Sequence, residues 1–467
     1  MSASPRLEGR FSVLGIARSG IAAANALVGR GYRVLASDLR SEGELAGSLA
    51  QLDSRVEVVT GENRVRDGDT VIISPGVRPG SPAHRAAHER GRAVWSDVEL
   101  FWRLSPAPML AVTGTDGKST TTALLGEMAT LAGCPTFVGG NIGVPLCRAL
   151  DYLTLEHLVV AEISCFQLIH CPTLRPRVAV YTNISQDHID YHGSFEAYQA
   201  AKRLLMANLG PDETVVFNAL DTQMKRWQWP EAPSKLPYAR GDRPARHGLW
   251  IEDGDLIAAP PGSEPVKVVS TAEVCLPGAH NLENALAATG AALSHGLPLP
   301  AVRRALKEFA GLEHRLEFVL RHEGVAYYND SKATNPNAAV VGLTALVAKR
   351  PRRLVIIAGG SEKGSDFSEF AQQVARHASG AVLIGETGPR LRETLLTTLG
   401  ERTSFPIETA GDMHEAVARS HTLATPDGVV ALCPACASFD RFTDFEDRGR
   451  CFKEAVRRLV RTKMRQG

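Results

Sequence analysis

The chain carries almost no net charge: 52 Lys and Arg stand against 51 Asp and Glu in 467 residues. So even a balance sets up no global field that would hold the protein to nucleic acid or to an anionic membrane, and the expected partners are small molecules. Long hydrophobic runs are missing too. Met1–Arg10 has no apolar leader core, and the apolar stretches elsewhere are too short and too interrupted to span a bilayer, which predicts a cytoplasmic protein without membrane insertion. Cysteine is scarce, at eight, which argues against a disulfide scaffold and predicts free thiols in a reducing compartment. Cys433-Pro-Ala-Cys436 has the spacing of redox loops and zinc knuckles, but no second pair accompanies it at finger spacing, so packing is its expected role. There is no tandem repeat at a fixed short period and no long low-complexity tract.

What is present is alternation. Phe11–Gly15 reads as a buried strand, Ile21–Arg30 as an Ala-rich helix and Tyr32–Asp38 as a second strand, a βαβ start that predicts a Rossmann-like nucleotide half. Its glycine pattern is Gly15-Ile-Ala17-Arg-Ser-Gly20, and Ala17 stands where a second glycine would let backbone approach a pyrophosphate. A nicotinamide dinucleotide is therefore not the expected ligand, although another nucleotide fits. Val71–Gly76 repeats the strand-then-turn pattern, with Ser74 at the strand's carboxyl end, and Ser105–Pro108 reads as a linker. Apolar strands at 158–161, 178–183 and 214–218 alternate with helices, and a third alternation begins after Gly311, with strands near 325–328, 354–358, 381–384 and 429–432. Such alternation predicts parallel, doubly wound α/β sheets, and at ~150 residues per domain the length accommodates three of them. The Pro- and Gly-rich segment 228–265 reads equally as β-meander or loop.

The chemistry is concentrated in Leu110-Ala-Val-Thr-Gly-Thr-Asp-Gly-Lys-Ser-Thr-Thr-Thr122, where an apolar strand runs into a glycine loop that opens a helix. Gly114 and Gly117 let backbone N–H groups converge on phosphate oxygens, Lys118 reaches toward the β and γ phosphates, and the Ser119 hydroxyl suits Mg²⁺, which makes ATP the expected ligand. The spacing departs from the usual phosphate loop, whose first glycine is replaced by Val112. Glu162 closes an apolar strand and so places a carboxylate at the sheet's carboxyl end, where Mg²⁺ needs an oxygen. Asn183-Ile-Ser-Gln-Asp-His-Ile-Asp190 follows another strand and offers further ligands.

These residues resemble the Mur ligase family, ATP-dependent enzymes that add amino acids to a peptidoglycan precursor. Thr113–Thr120 is similar to the family's TGTNGKST loop, with Asp116 in place of Asn, a charge that must point away from phosphates or face a metal. Gly140-Asn-Ile-Gly143, Glu162-Ile-Ser-Cys-Phe-Gln167, Asp187-His-Ile-Asp190, Ala201-Lys202, His280-Asn-Leu-Glu-Asn284 and His314-Arg-Leu-Glu317 match in the same order along the chain. Asn329–Asn335, Pro434–Asp440 and Phe445–Gly449 look like the member that adds glutamate to UDP-N-acetylmuramoyl-L-alanine. Cys433 departs from the serine often found before Pro-Ala-Cys-Ala-Ser, a change that reads as packing.

The resemblance implies three domains: a Rossmann-like precursor-binding domain at 1–106, a central P-loop ATPase-like doubly wound domain at 107–311, and a Rossmann-like glutamate-binding domain at 312–467 whose closure completes the site. It implies ATP binding by Gly114, Thr115, Gly117, Lys118, Ser119, Thr120, Asn281, Asn284, Arg315 and Asp330, the two asparagines lying on one helix face where amides suit an adenine edge. One Mg²⁺ is implied at Ser119 and Glu162 and a second at His188 and a carbamylated Lys202; Lys118, His188 and Lys202 would be the catalytic set. Ser19, Asp38, Arg40, Ser74 and Asn141 would take the UDP precursor, and Thr334, Lys363, Ser438 and Phe445 the glutamate, expected to be the D enantiomer. The implied enzyme is a monomer that forms an amide through an acyl phosphate. A sibling ligase, a folylpolyglutamate synthase, a nicotinamide oxidoreductase and a non-catalytic nucleotide-binding protein are the alternatives.

Overall fold

The computed structural model describes residues 7–276, 278–347, 351–362, 364–400 and 404–464, with side chains to 461. They form two compact units, 1–309 and 310–467. The first holds two sheets. In one, β1 (Phe11–Leu14), β2 (Val34–Asp38), β3 (Glu57–Thr60), β4 (Thr70–Ile73) and β5 (Ala93–Trp95) run parallel in the order β3-β2-β1-β4-β5. β1, β2 and β4 are buried along their whole length, which is why they read as continuous apolar runs rather than alternating ones.

The second sheet has nine strands in the order β14-β13-β12-β11-β10-β9-β6-β8-β7. β6 (Met109–Thr113), β7 (Thr136–Gly140), β8 (Leu158–Glu162), β9 (Val178–Tyr181), β10 (Thr214–Asn218) and β11 (Ser234–Ala239) are parallel. β6 lies inside this sheet between β8 and β9, fully buried, so the loop that follows it opens among the carboxyl ends of its neighbours. The segment 228–265 supplies β11, β12 (Gly248–Glu252) and β13 (Asp255–Ala259), and β14 (Val266–Ser270) completes an antiparallel meander. β12 turns into β13 through Asp253-Gly254, both at positive φ (50° and 79°), the two-residue turn that Asp-Gly favours.

The two sheets share one core. Phe11, Ile21 and Leu27 of the first belong to the same buried cluster as Val98 and Phe101 of the helix Asp97–Leu104 and as Ala111, Val159 and Ala161 of the second. Even in the connecting segment 105–108, Ala107 is buried.

The second unit has β15 (Glu317–His322), β16 (Val325–Asn329), β17 (Leu354–Ala358), β18 (Gly380–Leu383), β19 (Ile407–Thr409) and β20 (Val429–Leu432), ordered β15-β16-β20-β17-β18-β19, with β15 antiparallel and the rest parallel. No helix among the described residues is long and apolar enough to cross a membrane.

Candidate active site

β6 ends in a loop that only glycine can make at two points. Gly114 has φ 149°, and a side chain there would run into the Thr182 hydroxyl; Gly117 has φ 76° where it opens the helix Lys118–Leu131, and the amide of Asn284 fills the space a side chain would take. The loop is fixed from the side by the continuation of β9. The Thr115 and Asp116 N–H groups donate to the backbone and side-chain oxygens of Asn183 (2.9 and 2.8 Å), and the Thr182 hydroxyl donates to the Asp116 carbonyl (2.6 Å). Asp116 thus serves the loop through its backbone while its carboxylate is exposed. Ser119 and Thr120 are buried in the first helical turn, where backbone N–H groups and the helix dipole favour an anion.

Two lysine side chains meet this loop. Lys118 Nζ donates to the Thr115 carbonyl and Lys202 Nζ, from the helix Phe195–Arg203, to the Gly114 carbonyl, both at 2.6 Å. Lys202 is 2% exposed, with the Tyr198 ring 4.8 Å from its Nζ. Burial, reinforced by the positive charge of Lys118, brings its pKa down to about 7. Glu162 ends β8, paired in register with Val112 of β6. Its Oε1 accepts from Asn141 Nδ2 at 2.7 Å, while its buried Oε2 has no hydrogen-bond partner among the described residues. A buried carboxylate oxygen left unpaired is costly unless a cation completes it, so the donor set of Glu162 with the Ser119 hydroxyl fits a hard divalent ion. His188 is placed differently: it is exposed at φ 52°, its Nε2 3.3 Å from Asp187 Oδ2 and its ring 4.7 Å from Phe166.

Asn281 and Asn284 share a face of the helix Ala279–Ser294 and are both buried. Asn284 donates to Asn281 Oδ1 (3.1 Å) and accepts from the Thr121 hydroxyl (3.3 Å), so the pair braces the helix behind the loop.

Ser19, Asp38, Arg40, Ser74 and Asn141 all line one cleft of about 1140 Å³. Asp38 Oδ2 accepts the Ile16 N–H at 2.8 Å, and Arg40 clasps the same carboxylate through Nε and a terminal nitrogen at 3.0 and 2.8 Å. Burial opposes ionisation of Asp38, but Arg40 and the two backbone N–H donors prevail and hold it down to about 2. Ser74 donates to the Gly15 carbonyl at 3.2 Å. Arg18, Arg64, Arg78 and Arg90 also line the cleft, a guanidinium lining suited to phosphate. Asn141 lies on this wall as well, so its bond to Glu162 joins the cleft to the phosphate loop.

In the second unit Asp330 follows β16, is 4% exposed, accepts the Leu316 N–H at 3.1 Å, and is pushed by burial up to about 7. Arg315 and Thr334 are half-buried, and Ser438 is buried in the loop after β20. Phe445 opens the helix Phe445–Met464; its carbonyl accepts from the Ser331 hydroxyl at 2.7 Å, and Lys332 Nζ stands 5.8 Å from its ring. Lys363 lies outside the described residues. Sequence reading passed over Arg448, which is fully buried and ties these loops together: it donates to Ser331 Oγ (3.0 Å), the Ser331 carbonyl (2.8 Å), and the Cys436 and Ala437 carbonyls (2.9 and 3.1 Å). Its signal was its place inside the motif Phe445–Gly449, to which no role had been attached at that position. The eight cysteines are free; Cys433 donates to the Ala339 carbonyl at 3.3 Å, Cys436 stands 3.2 Å from the Thr387 hydroxyl, and burial raises both thiols, Cys436 to about 11. Neither is poised as a thiolate.

Comparison with known proteins agrees with this geometry. Residues 112–292 match the Mur ligase middle domain and 314–436 the Mur ligase glutamate ligase domain. The UDP-N-acetylmuramoylalanine--D-glutamate ligase of Symbiobacterium thermophilum is 40% identical over 98% of this chain and 100% of its own length, and that of Caldanaerobacter subterraneus 39% identical over 97% and 99%. UDP-N-acetylmuramate-alanine ligase MurC of Thermotoga maritima superposes with a TM-score of 0.58 at 20% identity, covering 96% of this chain and 99% of its own, a likeness of fold. With a phosphate loop, an unpaired buried carboxylate beside it and full-length relatives of this kind, the chain belongs to the Mur ligase family, whose members are ATP-dependent, amide-bond-forming ligases.

Proposed function

We propose that the chain joins D-glutamate to UDP-N-acetylmuramoyl-L-alanine, converting ATP to ADP and phosphate. The observation that carries the reading is Glu162, one oxygen held by Asn141 of the arginine-lined cleft and the other buried beside the phosphate loop without a partner among the described residues. The names of the full-length relatives support the choice of precursor and amino acid. On this reading residues 1–106 serve the precursor, 107–311 ATP and 312–467 the amino acid.

The alanyl carboxylate of the precursor attacks the γ-phosphorus and releases ADP. The glutamate amine then attacks the acyl phosphate through a tetrahedral intermediate that expels phosphate, and positioning does most of the work. Lys118 and the first turn of its helix offset charge on the phosphates. Ser119 and Glu162 would hold Mg²⁺, which would supply neutralisation of phosphate charge. A lysine with a pKa near 7 keeps a substantial share of neutral amine at neutral pH, the form that adds CO₂ and loses a proton to become a carbamate; Lys202 in that form, with His188, would offer oxygen and nitrogen to a second ion. Asn281, Asn284, Arg315 and Asp330 complete the ATP site. Ser19, Asp38, Arg40, Ser74 and Asn141 hold the precursor, and Thr334, Lys363, Ser438 and Phe445 the glutamate. The working form is a cytoplasmic monomer.

Release of ADP and phosphate that requires both precursor and amino acid tests the reaction. Competing D- against L-glutamate, with ATP and UDP-N-acetylmuramoyl-L-alanine saturating, tests the stereochemistry: preferential use of the L form refutes the assignment.

A further inference from the structure

Away from the phosphate loop, three imidazoles converge within the first unit. His84 and His88 are four apart on the helix Pro82–Arg90, hence on one face, and His170 comes from the segment just after the helix Cys165–Leu168. Ring centroids are 4.6 Å apart for His84 and His88, 5.6 Å for His84 and His170, and 5.8 Å for His88 and His170. One nitrogen from each can be chosen so that all three lie within 4.8 Å of one another. A tetrahedral ion with zinc–nitrogen bonds of about 2.0–2.1 Å sets its nitrogens ~3.4 Å apart, so binding would draw the three rings together.

A packed histidine cluster would satisfy its buried nitrogens within the protein. Here His170 is 7% exposed, and its Nε2 is buried without any hydrogen-bond partner among the described residues. The backbone of His170 is already engaged, its carbonyl accepting the Ser96 N–H at 2.9 Å, so the ring is presented on a fixed segment.

We propose that His84, His88 and His170 form a transition-metal site that takes Zn²⁺, with the fourth position left to water. Three nitrogen donors with no carboxylate select a borderline ion over Mg²⁺. The site is separate from the one around Glu162, and its assignment does not depend on the reaction proposed above. The ion would bind the helix Pro82–Arg90, whose Ser81, Ala83, Ala86 and Arg90 line the large cleft, to the segment that follows Glu162.

The test uses the full-length chain, stripped with a chelator and held in millimolar Mg²⁺ so that hard-ion sites are filled. Titration with Co²⁺ is expected to give the visible d–d bands of a four-coordinate, nitrogen-ligated ion at one equivalent per chain, displaced by Zn²⁺. Zn²⁺ should also raise the Tm by a few degrees. His84→Ala and His88→Ala, at helix positions that accept alanine, should each weaken Co²⁺ binding at least about tenfold, and the double variant should lose both the bands and the Tm shift. His414→Ala, at an exposed histidine elsewhere, should keep them. Bands that survive the double variant, or weak Co²⁺ uptake without four-coordinate bands in the unaltered chain, would overturn the proposal.

Discussion

Two glycine turns in the first unit, each at the carboxyl end of an internal parallel strand and each opening a helix, receive opposite charge. At the turn after β1 an acid arrives: Asp38 takes the Ile16 N–H and is itself clasped by Arg40. At the turn after β6 two lysines arrive, Lys118 and Lys202, their nitrogens on the carbonyls of Thr115 and Gly114. The backbone device is common to both, so ligand choice rests on what the neighbouring strands and helices deliver. A turn whose donor is spent on a neutralised carboxylate leaves phosphate to the guanidinium groups that line the cleft around it, whereas one flanked by lysines suits a polyphosphate on the turn itself.

The hardest blow to this contrast is Lys118→Ala. Turnover is expected to fall by at least about 100-fold, the scale of losing one preorganised electrostatic contact, while the Tm stays unchanged because the side chain serves a ligand at a partly exposed loop. Near-normal steady-state turnover would remove the phosphate assignment. Lys202→Ala should also lose most activity, and a short-chain carboxylic acid should restore part of it by replacing the carbamate oxygens. Full activity without added acid would argue against a carbamate.

The contrast sharpens with Asp330, a buried carboxyl on which burial outweighs the charge of nearby Arg315. Its folded pKa of about 7 lies above the usual 3.8 of a free aspartate, so its protonated form stabilises the fold at low pH, and that stability is lost as pH rises from about 4 to 7. Asp330→Asn should therefore gain on the parent by up to about 1.4 kcal/mol per pH unit across that window, measured by urea unfolding. Asp38→Asn should do the reverse. Its folded value near 2 lies below 3.8, so its contribution, about 2 kcal/mol, is present above pH 4 and fades as pH falls toward 2. Parallel pH profiles for the two variants would show that Arg40 does not set the difference. The smallest effect concerns Ala17→Gly, which restores the glycine pattern yet leaves Asp38 on the Ile16 N–H. Nicotinamide fluorescence should remain unenhanced, and saturable enhancement would show that Ala17 alone was the obstacle.

Most of the parallel strands were legible because buried strands are apolar throughout, and Val178–Tyr181 or Val429–Leu432 have no other reading. The meander was harder to read, since Pro and Gly masked short strands, although Asp253-Gly254 was the available turn signal. Loop residues carrying charge or metal chemistry stood out by type. Residues that act by bracing did not: Asn183 and Thr182 hold the loop through bonds to its backbone, and Arg448 satisfies carbonyls far along the chain, contacts that no local pattern encodes. The histidine trio was overlooked for a related reason. Metal ligands were sought at Cys433 and Cys436 and in the loops around Glu162 and His188, while His84 and His88 meet their third member only after the chain has completed the first sheet and begun the second.

The core common to the five- and nine-stranded sheets has a practical corollary for anyone cutting the gene. A fragment ending at residue 106 would leave Phe101 and Leu104 without their covering, and one beginning at 107 would present the bared faces of Ala111, Val159 and Ala161 to water. Both pieces should precipitate on expression, whereas a cut at 309/310 follows the boundary between the compact units.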